Sequence, residues 1–138
     1  MSAAHPPRAA ASRGRDQRRA LGRLGEQAAA AHLRRLGFAV LERNVRTRYG
    51  EIDLIAWDGS TLAFVEVKTR RARAGAQPAQ EPLLGLGWRQ RRRLRRLARA
   101  WLARRGRARP YAGAIRFDAI GVSVDARGTH VRHVEGAW

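Results

Sequence analysis

The chain has 138 residues, 44% of them hydrophobic, and a formal net charge of +18, which fits one basic domain large enough to bury a core. No stretch approaches the roughly 18 consecutive apolar residues that cross a bilayer, and the absence of cysteine excludes disulfides, thiolate metal sites and cysteine nucleophiles, so we expect a soluble, cytoplasmic protein. The excess of positive charge indicates a polyanionic partner, nucleic acid above all, with an anionic membrane surface as the main alternative.

The predicted elements begin after a basic leader. Residues 1–19 are rich in Ala, Arg, Pro and Ser without a periodic apolar face, and we predict a disordered leader there, with residues 20–138 forming the domain. Leucines and alanines at helical spacing predict a first helix over Leu21–Leu36, which Gly37 is placed to end. A first strand is predicted over Phe38–Arg43.

Two stronger strands follow, Glu51–Trp57 and Leu62–Thr69, joined by the turn-forming residues DGST. A loop rich in Gly, Pro, Ala and Arg leads to a second helix over Trp88–Arg105, whose leucines form one stripe. Two closing strands are predicted over Ile115–Val124 and Thr129–Val134. This order of elements predicts a single α/β domain whose sheet is flanked by helices.

Alternation along the two stronger strands brings acids together. Glu51, Asp53 and Ile55 are expected on one face of their strand. A two-residue loop, which an Asp-Gly pair favours, makes Asp53 and Glu66 diagonal neighbours, and a four-residue loop makes them direct neighbours. Two adjacent carboxylates repel each other in a half-buried sheet, so the pair indicates a site for one hard divalent cation. Glu51 is a secondary candidate for contact with the cation or its water.

Lys68 lies two residues after Glu66 and is the only lysine among the 29 Lys and Arg residues of the chain. A chain that uses arginine everywhere else keeps one ammonium here. This choice indicates a site that needs a compact, strongly hydrated point charge with an adjustable pKa. The alternative is a partly exposed ladder of acids and one base, which stabilises a sheet by only a few tenths of a kcal/mol per pair.

Asp53 followed by Glu66–Lys68 on the next strand resembles the D…(D/E)xK signature of the PD-(D/E)xK nuclease superfamily. The ExK triplet alone is a weak signal, but its position after GEIDLIA and a hairpin is specific; Ile52 stands where the superfamily name has Pro, as in many members. The context from GEQAAAAHLRRLGF to VEVKTR, with the later RFDAIGV, resembles the YraN family of endonucleases, which is similar to archaeal Holliday-junction resolvases. The resemblance covers the chain from about Leu21 to the C-terminus. It implies a restriction-endonuclease-like domain with a central mixed five-stranded sheet.

The same resemblance implies hydrolysis of phosphodiester bonds with Mg²⁺ or Mn²⁺ as cofactor. Asp53 and Glu66 would hold the cation together with the carbonyl oxygen of Val67. Lys68 would orient or deprotonate the attacking water and offset the charge that develops on the phosphate. Glu26 lies in line with the inward stripe of the first helix, where a boundary residue in solvent is the alternative; because a glutamate of the first helix completes the metal site in the resolvases, it is a further catalytic and metal-binding candidate.

Arginines before and after these acids are candidates for contact with phosphates. Such contacts position nucleic acid without reading its sequence, and a solvated charged face is the alternative. The candidates are Arg43, Arg46 and Arg48 before the acidic strand, Arg70, Arg71 and Arg73 after Lys68, and Arg89, Arg92 and Arg96 on the second helix.

For the histidines and tryptophans we predict structural or surface positions rather than functional ones. His130 and His133 are three apart in a predicted strand, which puts them on opposite faces, so we expect solvent-exposed positions rather than joint metal ligation. Trp88 and Trp101 are expected in a core or an interface rather than as platforms for base stacking.

We therefore predict a small metal-dependent endonuclease that acts on DNA, with branched or damaged DNA as candidate substrates and no membrane partner. The alternative is a noncatalytic nucleic-acid-binding module, associated with RNA or the ribosome, that retains the nuclease fold. Intact Asp53, Glu66 and Lys68 favour the enzyme, because a pure binder would gain affinity by losing acids near phosphate. The sequence leaves open the preferred metal and whether the protein forms a homodimer.

Overall fold

The computed structural model describes residues 8–72 and 88–137. Within these ranges, two α-helices, α1 (Arg8–Arg35) and α2 (Trp88–Arg105), and a short 3-10 helix (Gly106–Ala108) accompany five strands. The strands form one sheet in chain order: β1 (Ala39–Thr47), β2 (Gly50–Trp57), β3 (Thr61–Arg71), β4 (Ala114–Asp125) and β5 (Gly128–Val134). β3 and β4 are parallel and the other neighbouring pairs are antiparallel. The predicted single α/β domain with a mixed five-stranded sheet is confirmed. Within these described ranges, no helix has the length and apolar character to span a membrane.

α1 covers one face of the sheet. Its residues Ala29, Ala30 and Leu33 are fully buried and pack against Leu54 of β2 and Val65 of β3. Their spacing of one, three and four residues is that of a single helical face. Alternate residues of β3 and of the second half of β2 supply the other half of this layer.

α2 covers the opposite face and connects the parallel strands β3 and β4, as a crossover helix must. Leu94, Leu97 and Trp101 of α2 pack with Ile55 and Phe64, so the predicted leucine stripe is confirmed. Trp101 is 2% exposed and belongs to this core, as predicted. The side chain of Trp88 lies outside the described part of the chain.

α1 is longer than predicted. It begins at Arg8 rather than Leu21, so residues 8–19 of the predicted leader are helical; residues 1–7 lie outside the described residues. This first part of the helix is mostly exposed, and Ala and Arg favour helix strongly without needing a buried face, which is why apolar periodicity did not reveal it. Gly37, with a φ of +93°, follows the helix end as predicted, because glycine adopts this conformation without strain.

The hairpin between β2 and β3 closes with the longer of the two predicted loops. Trp57 pairs with Leu62, so four residues form the turn instead of the two that an Asp-Gly pair favours. The Asp58 carboxylate accepts hydrogen bonds from the backbone N–H groups of Ser60 at 2.9 Å and Thr61 at 2.7 Å, and these bonds stabilise the wider loop. The resulting register directs the two predicted acids opposite each other.

Alternation along β2 breaks at Asp53. Ile52 and Ile55 both pack on the α2 side, although residues three apart in a regular strand face opposite sides. Asn44, which lies opposite Asp53 on β1, has a φ of +51°, so the irregularity affects both strands. The prediction that Asp53 and Ile55 share a face is therefore wrong. The irregularity turns Asp53 away from the α2 core and towards α1.

Candidate active site

β2 and β3 separate at the position of the predicted acids. Their described backbone pairing ends at Leu54 and Val65, and one residue further Oδ2 of Asp53 accepts a hydrogen bond from the N–H of Val67 at 2.7 Å. The carboxylate thus occupies the opening between the strands. Glu66 lies on the β3 side of this opening and is only 6% exposed. The structure therefore brings Asp53 and Glu66 together.

Three carboxylates meet on the α1 side of the opening. Glu26 of α1 and Glu51 and Asp53 of β2 each offer an oxygen, and these oxygens all lie within 4.8 Å of one another. We call these three residues the acid cluster. Glu51 has as good a position in it as Glu26, although the sequence suggested only a secondary role. The two glutamates and Asp53 can supply the oxygen ligands that a hard divalent cation prefers.

A close contact between α1 and β3 carries Glu26 to this place. Gly25, the preceding residue, is buried, and a Cβ atom there would lie 1.8 Å from Oγ1 of Thr69. Only glycine lets the helix backbone come this near to the strand. Gly25 therefore fixes the position of Glu26 relative to the opening between the strands.

The environment of Asp53 disfavours its charged form. Burial raises the pKa of Asp53 to about 7, and the negative charge of Glu66 adds to the rise, with smaller contributions from Glu26 and Glu51. The hydrogen bond from the Val67 N–H acts in the opposite direction. Binding of a cation beside such a carboxyl group is favourable, because the positive charge compensates for the hydration that the carboxylate loses on burial.

Two side-chain cations meet Glu66 at the same oxygen. Nζ of Lys68 lies 3.1 Å from Oε1 of Glu66, and Nη2 of Arg93, from α2, lies 3.8 Å from it. The sequence predicted Lys68 but missed Arg93, which is one of many arginines in α2. Its spacing from Leu97, four residues later on the buried stripe, was the signal that it borders the sheet.

A groove of about 530 Å³ opens beside the acid cluster. Arg19, Arg23 and Glu26 line it from one face of α1, since they are four and three residues apart. Arg46, predicted as a phosphate contact, lines the other side, with Nε 3.6 Å from Glu51. Arg19 and Arg23 were missed because Arg19 falls in the predicted leader and Arg23 on a helical face with no apolar signal.

The other predicted arginines occupy separate surfaces. Arg96 lies with its guanidinium carbon 5.3 Å from the centre of the Tyr49 ring, and that of Arg48 lies 4.7 Å from the same ring. The side chains of Arg73 and Arg89 fall outside the described residues. The remaining candidates are all exposed, namely Arg43, Arg70, Arg71 and Arg92.

Residues 25–122 match the family described as Uncharacterised protein family UPF0102. The chain is 48% identical over 120 residues to a UPF0102 protein of Streptomyces griseus, an alignment that covers 86% of this chain and 96% of that protein. The chain belongs to the UPF0102 family. Other family members include proteins of Mycobacterium avium, 50% identical over 121 residues with 84% and 88% covered, and of Herpetosiphon aurantiacus, 40% identical over 121 residues with 87% and 94% covered. UPF0102 is the YraN family, so the resemblance drawn from the motif is confirmed.

This UPF0102 protein has a second buried carboxylate, Asp118 on β4, which the sequence did not single out. Nε2 of His133 lies 2.7 Å from Asp118, and Nδ1 of His133 lies 3.1 Å from Nε2 of His32 on α1. Arg116 donates two hydrogen bonds to Asp118, at 2.8 and 2.9 Å. We call these four residues the His–Asp network. The prediction that His133 is solvent-exposed is wrong, because α1 lies over β5 and leaves the side chain of His133 only 7% exposed.

Proposed function

We propose that this protein is a metal-dependent endonuclease that hydrolyses phosphodiester bonds in DNA. The observation that carries the proposal is the acid cluster, in which oxygens of Glu26, Glu51 and Asp53 lie within 4.8 Å of one another. A fold gains nothing from three adjacent carboxylates. Their neighbours are Glu66 and the lone lysine of the chain, Lys68.

The donor set fits Mg²⁺ or Mn²⁺. Carboxylate oxygens are the ligands that these hard cations prefer, and Asp53, with its pKa raised to about 7, gains most from a bound cation. Glu26, Glu51 and Asp53 would hold the ion, and Glu66 and the carbonyl oxygen of Val67 are further candidates from the opposite strand. Such an ion, when bound, polarises the scissile phosphate and makes water a stronger nucleophile.

Lys68 is the residue of this chain best suited to proton transfer and charge stabilisation. Its ammonium lies 3.1 Å from Glu66 and its side chain is 38% exposed, so the nitrogen is held by the carboxylate and still reaches solvent. From this position it can orient the attacking water and donate a hydrogen bond to a phosphate oxygen as negative charge develops there. An ammonium also has room to rotate its three donors, which a planar guanidinium does not.

The arginines of the groove supply the binding surface. Arg19, Arg23 and Arg46 line the same groove as Glu26 and Glu51, so a phosphate backbone held by these guanidinium groups would pass over the acid cluster. Contacts of this kind are independent of base sequence. The net charge of +18 adds a long-range attraction that depends strongly on salt.

The test separates cleavage from binding. Asp53→Ala and Glu66→Ala should abolish cleavage of DNA in the presence of Mg²⁺ or Mn²⁺, and should keep or tighten binding measured without metal, because each removes a negative charge near phosphate. Glu135→Ala is the matched control: Glu135 is 59% exposed and pairs with Arg116, so it changes net charge equally without touching the acid cluster.

Single-stranded, duplex, flap and four-way DNA, with RNA of the same sequences, should be assayed in parallel to identify the substrate. Unchanged cleavage by Asp53→Ala or Glu66→Ala would contradict the assignment. Binding without metal-dependent cleavage on every substrate would favour the noncatalytic nucleic-acid-binding module instead.

A further inference from the structure

Arg93 connects α2 to the candidate active site. Its Nη2 lies 3.8 Å from Oε1 of Glu66, and its side chain is 46% exposed. The nearer cation on that oxygen is Lys68, at 3.1 Å. Arg93 therefore contacts Glu66 at long range, and about half of its side chain is exposed.

The hairpin between β1 and β2 leaves a path for this side chain. A Cβ atom at Gly50 would lie 3.6 Å from Cδ of Arg93, so the arginine stem lies next to the hairpin. Gly50, with a φ of +131°, directly precedes Glu51 of the acid cluster. The stem of Arg93 is thus confined between α2 and the hairpin, while its head lies at the opening between β2 and β3.

Arg93 has two competing partners when substrate is present. A carboxylate and a phosphate are both anions that guanidinium binds in pairs of hydrogen bonds. The distance of 3.8 Å to Glu66 exceeds that of a strong hydrogen bond, so little is lost when Arg93 leaves Glu66. A phosphate that reaches the opening between β2 and β3 can accept hydrogen bonds from this half-exposed guanidinium.

Glu66 in turn has two competing cations. Arg93 and Lys68 both face Oε1 of Glu66, so they offset part of its negative charge. A divalent cation drawn to Asp53 has to compete with them for the same carboxylate. When Arg93 leaves Glu66, Lys68 is the one described cation left on a carboxylate that is only 6% exposed, so the attraction of Glu66 for a divalent cation increases.

We propose that Arg93 passes from Glu66 to a phosphate of the bound nucleic acid, so that nucleic acid and the divalent cation bind cooperatively. This inference rests on the proposed nuclease function. Because binding linkage is reciprocal, nucleic acid tightens cation binding by the same factor by which the cation tightens nucleic acid binding. The complete metal site then forms on substrate rather than in the free protein.

The test measures this coupling at equilibrium, without any cleavage readout. Binding of a fluorescent DNA duplex with hydrolysis-resistant phosphorothioate linkages is followed by anisotropy with and without Mn²⁺, at constant ionic strength. Arg93→Gln removes the guanidinium and keeps a good helix former. Arg91→Gln is the matched control, since Arg91 is an exposed arginine of the same helix and its loss lowers the net charge equally.

We expect Mn²⁺ to tighten duplex binding by roughly tenfold in the parental protein and in Arg91→Gln, within the usual range of coupling between sites. In Arg93→Gln the factor should fall to roughly threefold, the part that remains because a cation still neutralises acids near phosphate. Mn²⁺ alone, titrated by electron paramagnetic resonance, should bind Arg93→Gln more tightly than the parental protein, because Glu66 has lost one competitor.

The outcomes separate this inference from the proposed function. Coupling in Arg93→Gln equal to that in Arg91→Gln would overturn the role of Arg93, even if the parental protein cleaves DNA and Asp53→Ala does not. Duplex binding that does not respond to Mn²⁺ in the parental protein would overturn it as well. The nuclease assignment is then decided separately, by metal-dependent cleavage.

Discussion

Two aspartates on the strands adjacent to β3, the half-buried Asp53 and the fully buried Asp118, have opposite environments. Asp118 is completely buried and accepts hydrogen bonds from Arg116, His133 and the N–H of Gly136. Burial opposes its charge, but the hydrogen bonds from His133 and Arg116 outweigh that effect and hold its pKa below the ordinary value. Asp53 accepts one described hydrogen bond, from Val67, and faces other acids, so its pKa rises to about 7.

This difference indicates that Asp118 stabilises the fold, whereas Asp53 has the environment of an acid that binds a cation. The charge of Asp118 is balanced by groups of the protein itself, so the folded state favours the ionised form. The neighbouring acids make the ionised form of Asp53 unfavourable in the folded state, and a bound cation can remove this cost in free energy. Burial does not explain the difference, because the more deeply buried Asp118 has the lowered pKa; the hydrogen-bond donors around each carboxylate explain it.

The largest effect is expected at the balanced acid. Asp118→Asn removes the charge that faces Arg116 and His133, and breaking a buried pair of this kind costs about 3 kcal/mol of unfolding free energy. Urea denaturation measures the loss. Asp16→Asn on the exposed side of α1 is the control and should change stability little. If Asp118→Asn were as stable as Asp16→Asn, the His–Asp network would have no structural role.

The next largest effect is expected at Lys68, in the candidate active site that contains Asp53. Lys68→Arg keeps the charge next to Glu66 but replaces a compact ammonium by a bulky guanidinium that does not exchange protons. We expect cleavage to fall by roughly 10²-fold or more, equivalent to about 2.7 kcal/mol in the barrier, while folding and DNA affinity change little. Single-turnover cleavage at saturating enzyme excludes a binding defect. Cleavage at the parental rate would mean that the site needs only a positive charge there.

The sequence predicted the pairing of acids better than it predicted their surroundings. Both even-length loops bring Asp53 and Glu66 together, so the wrong preference for a two-residue turn had no consequence for the pair. The turn itself depended on the Asp58 side chain, whose bonds to Ser60 and Thr61 outweigh the backbone preference of an Asp-Gly pair.

What the sequence missed depends on contacts between distant elements. The approach of α1 to β3 at Gly25 and Thr69 places Glu26 and Glu51 together, and no local pattern encodes that distance. Spacing from Leu97 puts Arg93 at the border of the sheet, but its contact with Glu66 depends on the position of α2 over the sheet. His133 is buried by His32, which lies 101 residues earlier in the chain. Periodicity predicts elements and their faces, and these cases needed the packing of one element on another.

The smallest expected effect is the difference in how the two aspartates make the stability of the protein depend on pH. Burial and the charge of Glu66 raise the folded-state pKa of Asp53 from 3.8 to about 7, so between these values the folded protein binds a proton that the unfolded chain has lost. The free energy of unfolding therefore falls as pH rises through this range, and the penalty is complete above about pH 7. For Asp118 the pKa is lowered instead, so its stabilising contribution is lost only as pH falls below about 4.

Asp53→Asn keeps the shape of the side chain and carries no charge, so it should remove this penalty. The rise in pKa is equivalent to roughly 4 kcal/mol at most, and solvent near the site reduces this value. We therefore expect the stability advantage of Asp53→Asn over the parental protein to be about 1–2 kcal/mol larger at about pH 8 than at about pH 5. Urea denaturation in a chelator measures both values. Asp16→Asn, on the exposed side of α1, is the control and should show no such change between the two pH values. Without the chelator, Mn²⁺ should reduce the stability difference between Asp53→Asn and the parental protein at the higher pH, because it stabilises only the protein that binds it. A stability difference that does not change with pH would contradict the raised pKa of Asp53.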